Sequence, residues 1–561
     1  MSSHRRSTHA PKPRRLPLLA TVVVAVVALA GIGVGVAIGR GSRAHSDGPP
    51  TAAQRADYRD VVPAPVSAVP TGGQFTITDS TGIYAPTGSS AARGVADYLA
   101  ALLRPATGYA LPVATGGDSG SGIRLVLADA ADGGPDKQLG DEGYRLDVSD
   151  DQLTIRANLP AGLFHGVQTL RQLLPPQIEN SKTQHAKPTQ QVAWTVPSGH
   201  IADYPQFGYR AAGLDVARHF FTVAQVERYI DEVSLYKVNY LHLHLTDDQG
   251  WRLAIDGWPK LTSVGAATEV GGHAGGYYTQ QQYRDLVAYA QARYITIIPE
   301  VDVPGHVTAA LASYPALSCD GKARAVFTGI DTGFSSLCAS KPTTYAFLDS
   351  VIRQLAALTP GPYIGIGGDE AQATSAGDYK KIVDHAAADV RAQGKTPWGW
   401  QEIASASVGT PAVATYWSTG FPTAPLKRAA AAGTKLVLDP ASHTYLDQKY
   451  DNTTALGLHW AGYVEVENAY DWDPGAYLPG VDASSVLGVE ADLWTETVVF
   501  DFDIDYMAFP RLPAIAELGW SPPATHDWSA FRLRLASQGP RWNAMGLNYY
   551  KSPLVPWPAG S

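Results

Sequence analysis

Residues 363–371 read YIGIGGDEA: a short apolar run, two glycines, then two neighbouring carboxylates, Asp369 and Glu370. Adjacent acids repel, so a pair at the end of a buried run needs a chemical reason. Similar residue types recur after other apolar runs. Asp247 and Asp248 follow one; Glu300, Asp302 and His306 follow another; Trp398, Trp400 and Trp417 close two more. Tyr445 with Asp447 and Trp494 with Glu496 follow the last two. Carboxyls transfer protons and flat aromatic rings stack on sugar faces, so a cleft lined by both suits glycosidic-bond chemistry. The plainer alternative for most of the 13 Trp and 28 Tyr is core filling.

The runs that carry these residues have the length and composition of strands. They cover residues 208–215, 240–245, 295–299, 363–367, 396–400, 412–417, 436–439 and 486–493. Helical patterns lie between them. Thr222 and Gln225 form one capping box and Thr279 and Gln282 another. Val226, Tyr229, Ile230 and Val233 then repeat at helical spacing. Eight strands alternating with helices predict a (β/α)8 TIM barrel over 201–550, and such barrels carry their sites at the C-terminal strand ends. Residues 69–200 mix strands and helices as a small α+β domain. Within it YRLDVSDDQLTIRAN reads as a hairpin, and no catalytic cluster is visible.

Bulk properties narrow the class. The 561 residues are 45% hydrophobic and 17% charged, enough for packed cores. A net charge of −9 argues against nucleic acid as a partner. Residues 1–15 carry five Lys/Arg and form a basic tail; residues 16–39 are uncharged. Twenty-four residues span about 36 Å as a helix, and a bilayer core is about 30 Å thick. The charge asymmetry predicts a signal anchor with the N-terminus in the cytoplasm and the catalytic body outside the cell membrane. A cleaved signal peptide and a secreted body is the alternative. Residues 40–68 read as a linker and 551–561 as a C-terminal tail. The two cysteines, Cys319 and Cys338, suit a disulfide in an exported chain; two buried free thiols are the alternative. No set of residues suggests a metal site, and no cofactor is implied.

Six stretches together resemble glycoside hydrolase family 20, the β-N-acetylhexosaminidases. They are GYRAAGLDVARHFF (208–221), LHLHLTDDQGWR (241–252), PEVDVPGHV (299–307), IGGDEA (366–371), WGWQE (398–402) and ADLWTE (491–496). The resemblance covers about residues 70 to 550. One departure is Gly365, where many members carry His before IGGDE; a change of local packing is expected there.

The resemblance implies removal of one terminal β-linked GlcNAc or GalNAc from an oligosaccharide or glycoconjugate. It also explains the adjacent acids. Most glycosidases place two carboxyls on opposite sides of the scissile bond, but in substrate assistance the sugar's own 2-acetamido oxygen attacks. By resemblance, Glu370 is the general acid, and Asp369 stays ionised to hold the acetamido N–H. Tyr445 donates to the acetamido oxygen, and Trp400, Trp417 and Trp494 wall the sugar. His306 and Asp302 form a hydrogen-bonded pair that tunes Glu370. Arg210 binds sugar hydroxyls, although it falls early in the first strand. Asp447 and Glu496 accept from the O4 and O6 region and close the pocket. Trp460 lines the leaving-group side or fills core. Asp247 and Asp248 are expected to be mainly structural. The alternatives are a lacto-N-biosidase of the same family and a catalytically dead glycan-binding protein at the cell surface. Both Asp447 and Glu496 argue against the first, and intact Asp369, Glu370 and Tyr445 against the second.

Overall fold

In the computed structural model, residues 58–116, 121–128, 134–182 and 192–560 are described. The basic tail, the apolar segment 16–39 and the linker up to residue 57 lie outside them. Among the described residues no helix is long and apolar enough to cross a membrane.

Alternating burial builds the first layer. Strands β1 (Ser67–Thr76), β2 (Ile83–Ala85), β3 (Val113–Thr115), β4 (Gly122–Leu127), β5 (Tyr144–Val148), β6 (Gln152–Ala157) and β7 (Thr195–Asp203) form one sheet. Its order is β1-β7-β5-β6-β4-β2-β3. β5 and β6 are the expected hairpin, with Tyr144 opposite Ala157 and Val148 opposite Leu153. Tyr144, Leu146, Val148, Leu153 and Ile155 turn inward, under the helices Ser90–Thr107 and Pro160–Leu173. Ser89 caps the first helix by accepting from the Ala92 N–H. Gly108 ends it in the left-handed region at φ 72°.

The predicted barrel closes. Its strands are β8 (Tyr209–Asp215), β9 (Tyr240–His244), β10 (Thr296–Glu300), β11 (Tyr363–Gly365), β12 (Thr396–Trp400), β13 (Val413–Tyr416), β14 (Lys435–Leu438) and β15 (Val486–Leu493). All pair in parallel around the ring. The observed bounds lie within two residues of the predicted ones. The largest difference is at β11, which stops at Gly365 because Gly367 and Gly368 take φ of 65° and 103° and turn the chain. Both capping boxes form, before the helices Val223–Ser234 and Gln280–Gln291.

Two boundary expectations need correction. Residues from 58 onward are not linker. Tyr58, Val61 and Val62 are buried, the Tyr58 hydroxyl donates to the Pro197 carbonyl, and the Ala64 N–H donates to Glu517. Nor is 551–561 a free tail. Ser552 and Val555 are buried, the Ser552 hydroxyl donates to Glu465, and Trp557 packs on Trp542. Both short segments carry apolar residues that the large body covers.

The sheet domain and the barrel meet over buried charge. Lys237, just before β9, donates to Asp203 at the end of β7 at 3.1 Å, and neither side chain is exposed. The Trp520 indole donates to the other Asp203 oxygen at 2.9 Å. Arg210 belongs to this junction. It pairs with Glu142, donates to the Lys237 and Phe207 carbonyls, and lies over the Trp520 ring. The expectation that Arg210 binds sugar is thus corrected. It stands at the N-terminal end of β8, the opposite end of the strand from the loops that form a barrel site.

Gly365 has a specific neighbour. In register it pairs with Glu300. A Cβ there would stand 2.7 Å from the Glu300 Cβ and 2.9 Å from its Cα. The packing change expected at this position therefore falls on a buried charged residue. Gly365→Ala should force β10 and β11 apart, at about 1–3 kcal/mol for an overpacked core. A lowered melting temperature is expected; one equal to that of the unaltered chain would mean the strands yield there freely.

Candidate active site

The loops after the strands converge on a cavity of about 430 Å³. Two glycines set its centre. A Cβ on Gly367 would overlap the Asp302 carboxylate, and the Gly368 N–H donates to Asp302 Oδ1 at 2.9 Å. The tight turn delivers Asp369 and Glu370 into the cavity. Glu370 itself sits at φ 43° and His306 at φ 55°, a region that residues other than glycine seldom occupy. Strain at these two positions marks a geometry that the surroundings impose.

Both carboxylates face one imidazole. His306 Nε2 is 3.4 Å from Asp369 Oδ2 and 3.7 Å from Glu370 Oε2. The other ring nitrogen, Nδ1, lies 3.1 Å from Asp247 Oδ1. The expected His306–Asp302 pair is corrected accordingly: the ring's hydrogen-bond partner is Asp247. Asp302 instead stands beside Asp369, within 4.8 Å. Asp247, expected to be structural, lines the cavity and is ion-paired with Arg218 at 2.7 Å. Asp248 fits its structural expectation, accepting from the Thr308 N–H and hydroxyl.

These contacts separate the protonation states. Burial, then the charge of Asp369, pushes the Glu370 carboxyl above its ordinary value. Burial also pushes Asp369 upward, but the facing His306 charge and the neighbouring Asp302 outweigh it, leaving Asp369 low. Asp302 is held far above the carboxylate range by burial and the Asp369 charge. His306 is held protonated by Asp247 and Asp369 against the effect of burial. The contacts thus push the two neighbours apart, Glu370 toward the neutral form and Asp369 toward the ionised one.

Aromatic rings form the wall. Trp417 and Tyr445 lie parallel, 8° apart with centroids at 6.2 Å. Trp460 stands edge-on to both and is 55% exposed at the mouth, so it is rim and not core. Trp494 packs beside Tyr445 at 5.9 Å. Trp400 does not reach the cavity surface as expected. It is buried behind Trp494, and its indole N–H donates to Glu300. A strand-end residue whose side chain points inward becomes support for the wall.

The buried side of the cavity is polar. Asp447, Glu496 and Arg218 line it. Asp447 Oδ1, Glu496 Oε2, Asp369 Oδ1 and Trp494 Nε1 are buried without a hydrogen-bond partner, so they can serve a polar ligand. Arg218 lies over the Trp494 ring at 5.2 Å. Sequence reasoning chose the wrong arginine of the same motif. Arg218 lies just past the C-terminal end of β8, and that position was the signal that could have found it. Glu402 was also missed. It accepts from the Trp417 indole, and burial with the nearby charges pushes it up to about 8.

One mouth wall is held covalently. Cys319 and Cys338 form a disulfide, with S–S 2.04 Å. The loop between them carries Ile330 and Thr332 to the cavity, and Thr332 hydrogen-bonds Glu370.

Comparison with known proteins gives a consistent picture. Residues 207–382 and 374–523 match the model of the glycosyl hydrolase family 20 catalytic domain, and residues 58–204 match domain 2 of that family. The chain is 43% identical over 444 residues to a β-N-acetylhexosaminidase of Cellulomonas fimi, covering 79% of this chain and 86% of that one. It is similar to the solved family 20 β-N-acetylhexosaminidase of Streptomyces coelicolor A3(2), at 52% identity and TM-score 0.85, covering 89% of this chain and 99% of that one. A mutant Streptomyces plicatus β-hexosaminidase in complex with the product GlcNAc is also 52% identical, at TM-score 0.85, covering 89% and 98%. The chain belongs to glycosyl hydrolase family 20.

Proposed function

We propose that this chain is an exo-acting β-N-acetylhexosaminidase that hydrolyses terminal β-linked GlcNAc or GalNAc with retention, the substrate's acetamido group acting as nucleophile. The observation that carries the reading is that Asp369 and Glu370 both approach one atom, His306 Nε2. Carboxyls so placed share one side of a substrate. Consecutive residues that meet one ring do not readily flank a scissile bond from opposite sides, as the two carboxyls of most glycosidases do.

In this reading Glu370 protonates the leaving oxygen while the acetamido oxygen attacks the anomeric carbon. The C–O bond to the leaving group breaks and an oxazolinium ring forms. Ionised Asp369 accepts from the acetamido N–H and opposes the positive charge that develops there. The Tyr445 hydroxyl donates to the acetamido oxygen, and Trp417 and Trp494 enclose the sugar. Glu370, now a carboxylate, removes a proton from water, which opens the ring from the same face as the original bond. Arg218, Asp447 and Glu496 at the buried side bind the outer hydroxyls of one terminal sugar. That arrangement supports removal of a monosaccharide.

The reading extends to place. The five basic residues and the uncharged segment 16–39 support a single-pass anchor with the body outside the cell, or a secreted body after cleavage. In a bacterial host, activity should pellet with membranes and stay there through a high-pH carbonate wash. Activity in the medium would select the cleaved form, and activity in the cytosolic fraction would reject both.

Aryl β-GlcNAc, β-GalNAc and β-lacto-N-biose glycosides should be tested side by side. Release is expected from the monosaccharides alone; release only from the disaccharide would select the lacto-N-biosidase. Glu370→Gln should lower turnover of a sugar-linked substrate about 10²–10⁴-fold, the usual reach of general acid catalysis, while sugar binding persists. A fully active Gln variant would sink the assignment. Loss in the unaltered chain of all release, with GlcNAc still bound, would leave only a glycan-binding protein.

The pH profile tests the division of roles. Activity should rise as Asp369 ionises, below the ordinary aspartate value, and fall as Glu370 loses its proton, above the ordinary glutamate value. Asp369→Asn removes the neighbouring charge that helps raise Glu370. Its alkaline limb should therefore move to lower pH, and kcat should fall about 10²–10³-fold as for loss of a charge-stabilising group. An unmoved limb with unchanged kcat would count against substrate assistance.

A further inference from the structure

From the cavity wall, where His244 and Asp247 line it, a string of buried ionisable groups that the proposed chemistry does not use runs into the barrel. Asp247 is its upper end. Its Oδ2 accepts from His244 Nε2 at 3.0 Å as well as from Arg218. His244 Nδ1 lies 2.5 Å from Glu300 Oε2. The same Glu300 oxygen receives His242 Nε2 at 2.8 Å, and Glu300 Oε1 receives the Trp400 indole at 2.9 Å. His242 Nδ1 stands 2.9 Å from Glu490 Oε1, and Glu490 Oε2 accepts from the Tyr209 hydroxyl at 2.7 Å. The run from the catalytic carboxylate is thus Asp369, His306, Asp247, His244, Glu300, His242, Glu490, with acid and imidazole alternating throughout.

His244 has a hydrogen-bonded carboxylate on both nitrogens. Only the imidazolium can donate on both sides, so the geometry there selects the charged form. All the groups from His306 to Glu490 are buried. Buried charges of one sign cannot accumulate there, because each must be paired. Asp247 alone touches three cations, Arg218, His244 and His306. Asp215 faces Arg218 and lies near His244, and Glu300 faces His244 from β10. Trp494 meets the His244 ring edge-on from the loop after β15. On β11, Gly365 leaves room for the Glu300 side chain.

We propose that Glu300 is a positioning residue for the reaction: through His244 it anchors the Asp247–His306 pair, and so keeps Asp369 aimed through three intervening side chains. His244 and Asp247 transmit the effect by hydrogen bonds, and His242 fixes the lower side of Glu300. Charge supports the same arrangement. Burial would lower His244, but Glu300 with Asp247 holds it up at about 9. Glu300 is itself held below the carboxylate range by the two imidazoles against its burial. Without the Glu300 anion, His244 would lose its proton at lower pH, because burial favours the neutral ring. One cation would then leave the Asp247 carboxylate.

The inference rests on the hexosaminidase reading, and the test separates the two. Glu300→Gln keeps the shape and removes the charge. With aryl β-GlcNAc, kcat should fall about tenfold, the loss of a preorganised charge, while KM stays within about threefold. The alkaline limb of kcat should move to lower pH and steepen, because His244 must now keep its proton as well as Glu370. Glu300→Asp, which retains the charge, should keep the limb of the unaltered chain. If Glu300→Gln does not fold, His244→Gln carries the test: kcat should fall similarly, with no recovery on acidification. A folded Glu300→Gln variant with the unaltered kcat and limb would overturn the inference and leave the function intact. An unaltered chain that releases no sugar would overturn both.

Discussion

The site depends on pushing two neighbouring carboxyls toward different protonation states. Asp369 and Glu370 are neighbours in the chain, and without help one would neutralise the other's purpose. His306 settles the matter by approaching both, its charge holding Asp369 low. The result is one carboxyl favoured ionised and one favoured neutral on consecutive residues. Their difference comes from neighbours and not from residue type, since aspartate and glutamate alone differ little in acidity.

That balance needs an unusual backbone. His306 and Glu370 both hold positive φ without being glycine, and Gly367 and Gly368 bend the chain between β11 and the acids. Space is as restrictive as torsion. Asp302 occupies the volume that a Cβ on Gly367 would need, and Glu300 that of a Cβ on Gly365. The glycines of this segment therefore serve two packed carboxyl groups as much as they serve the turn. Strain of this kind persists only where the surrounding barrel over-determines it.

Support arrives from both ends of the barrel. At the N-terminal end the sheet domain is joined through Lys237, Asp203, Arg210 and Glu142, a set of buried pairs with a Trp520 ring between them. Breaking one partner of such a pair is costly because it strands a buried charge. At the C-terminal end the disulfide-bounded loop and the aromatic wall shape the entrance. Between these ends, charged and aromatic side chains fill much of the barrel interior, where aliphatic layers are the more frequent filling.

What the sequence determined by itself was periodic or local. Eight strand runs, their alternation with capped helices, and the acids and tryptophans just beyond them all follow from spacing along the chain. The adjacent Asp369 and Glu370 were legible for the same reason. Tertiary structure decided the rest, because it brings together residues far apart in sequence. His306 pairs with Asp247, 59 positions away, and not with Asp302 four residues before it. Arg218 enters the cavity while Arg210 goes to the domain junction, since one lies beyond the end of β8 and the other near its beginning. Trp400 faces inward and Trp417 reaches the site. Residues 58–66 look like linker by composition, yet several bury against a surface that exists only once the barrel and sheet have formed. Local pattern encodes which element forms; which side chain meets which partner is fixed by packing, and packing is a property of the whole fold.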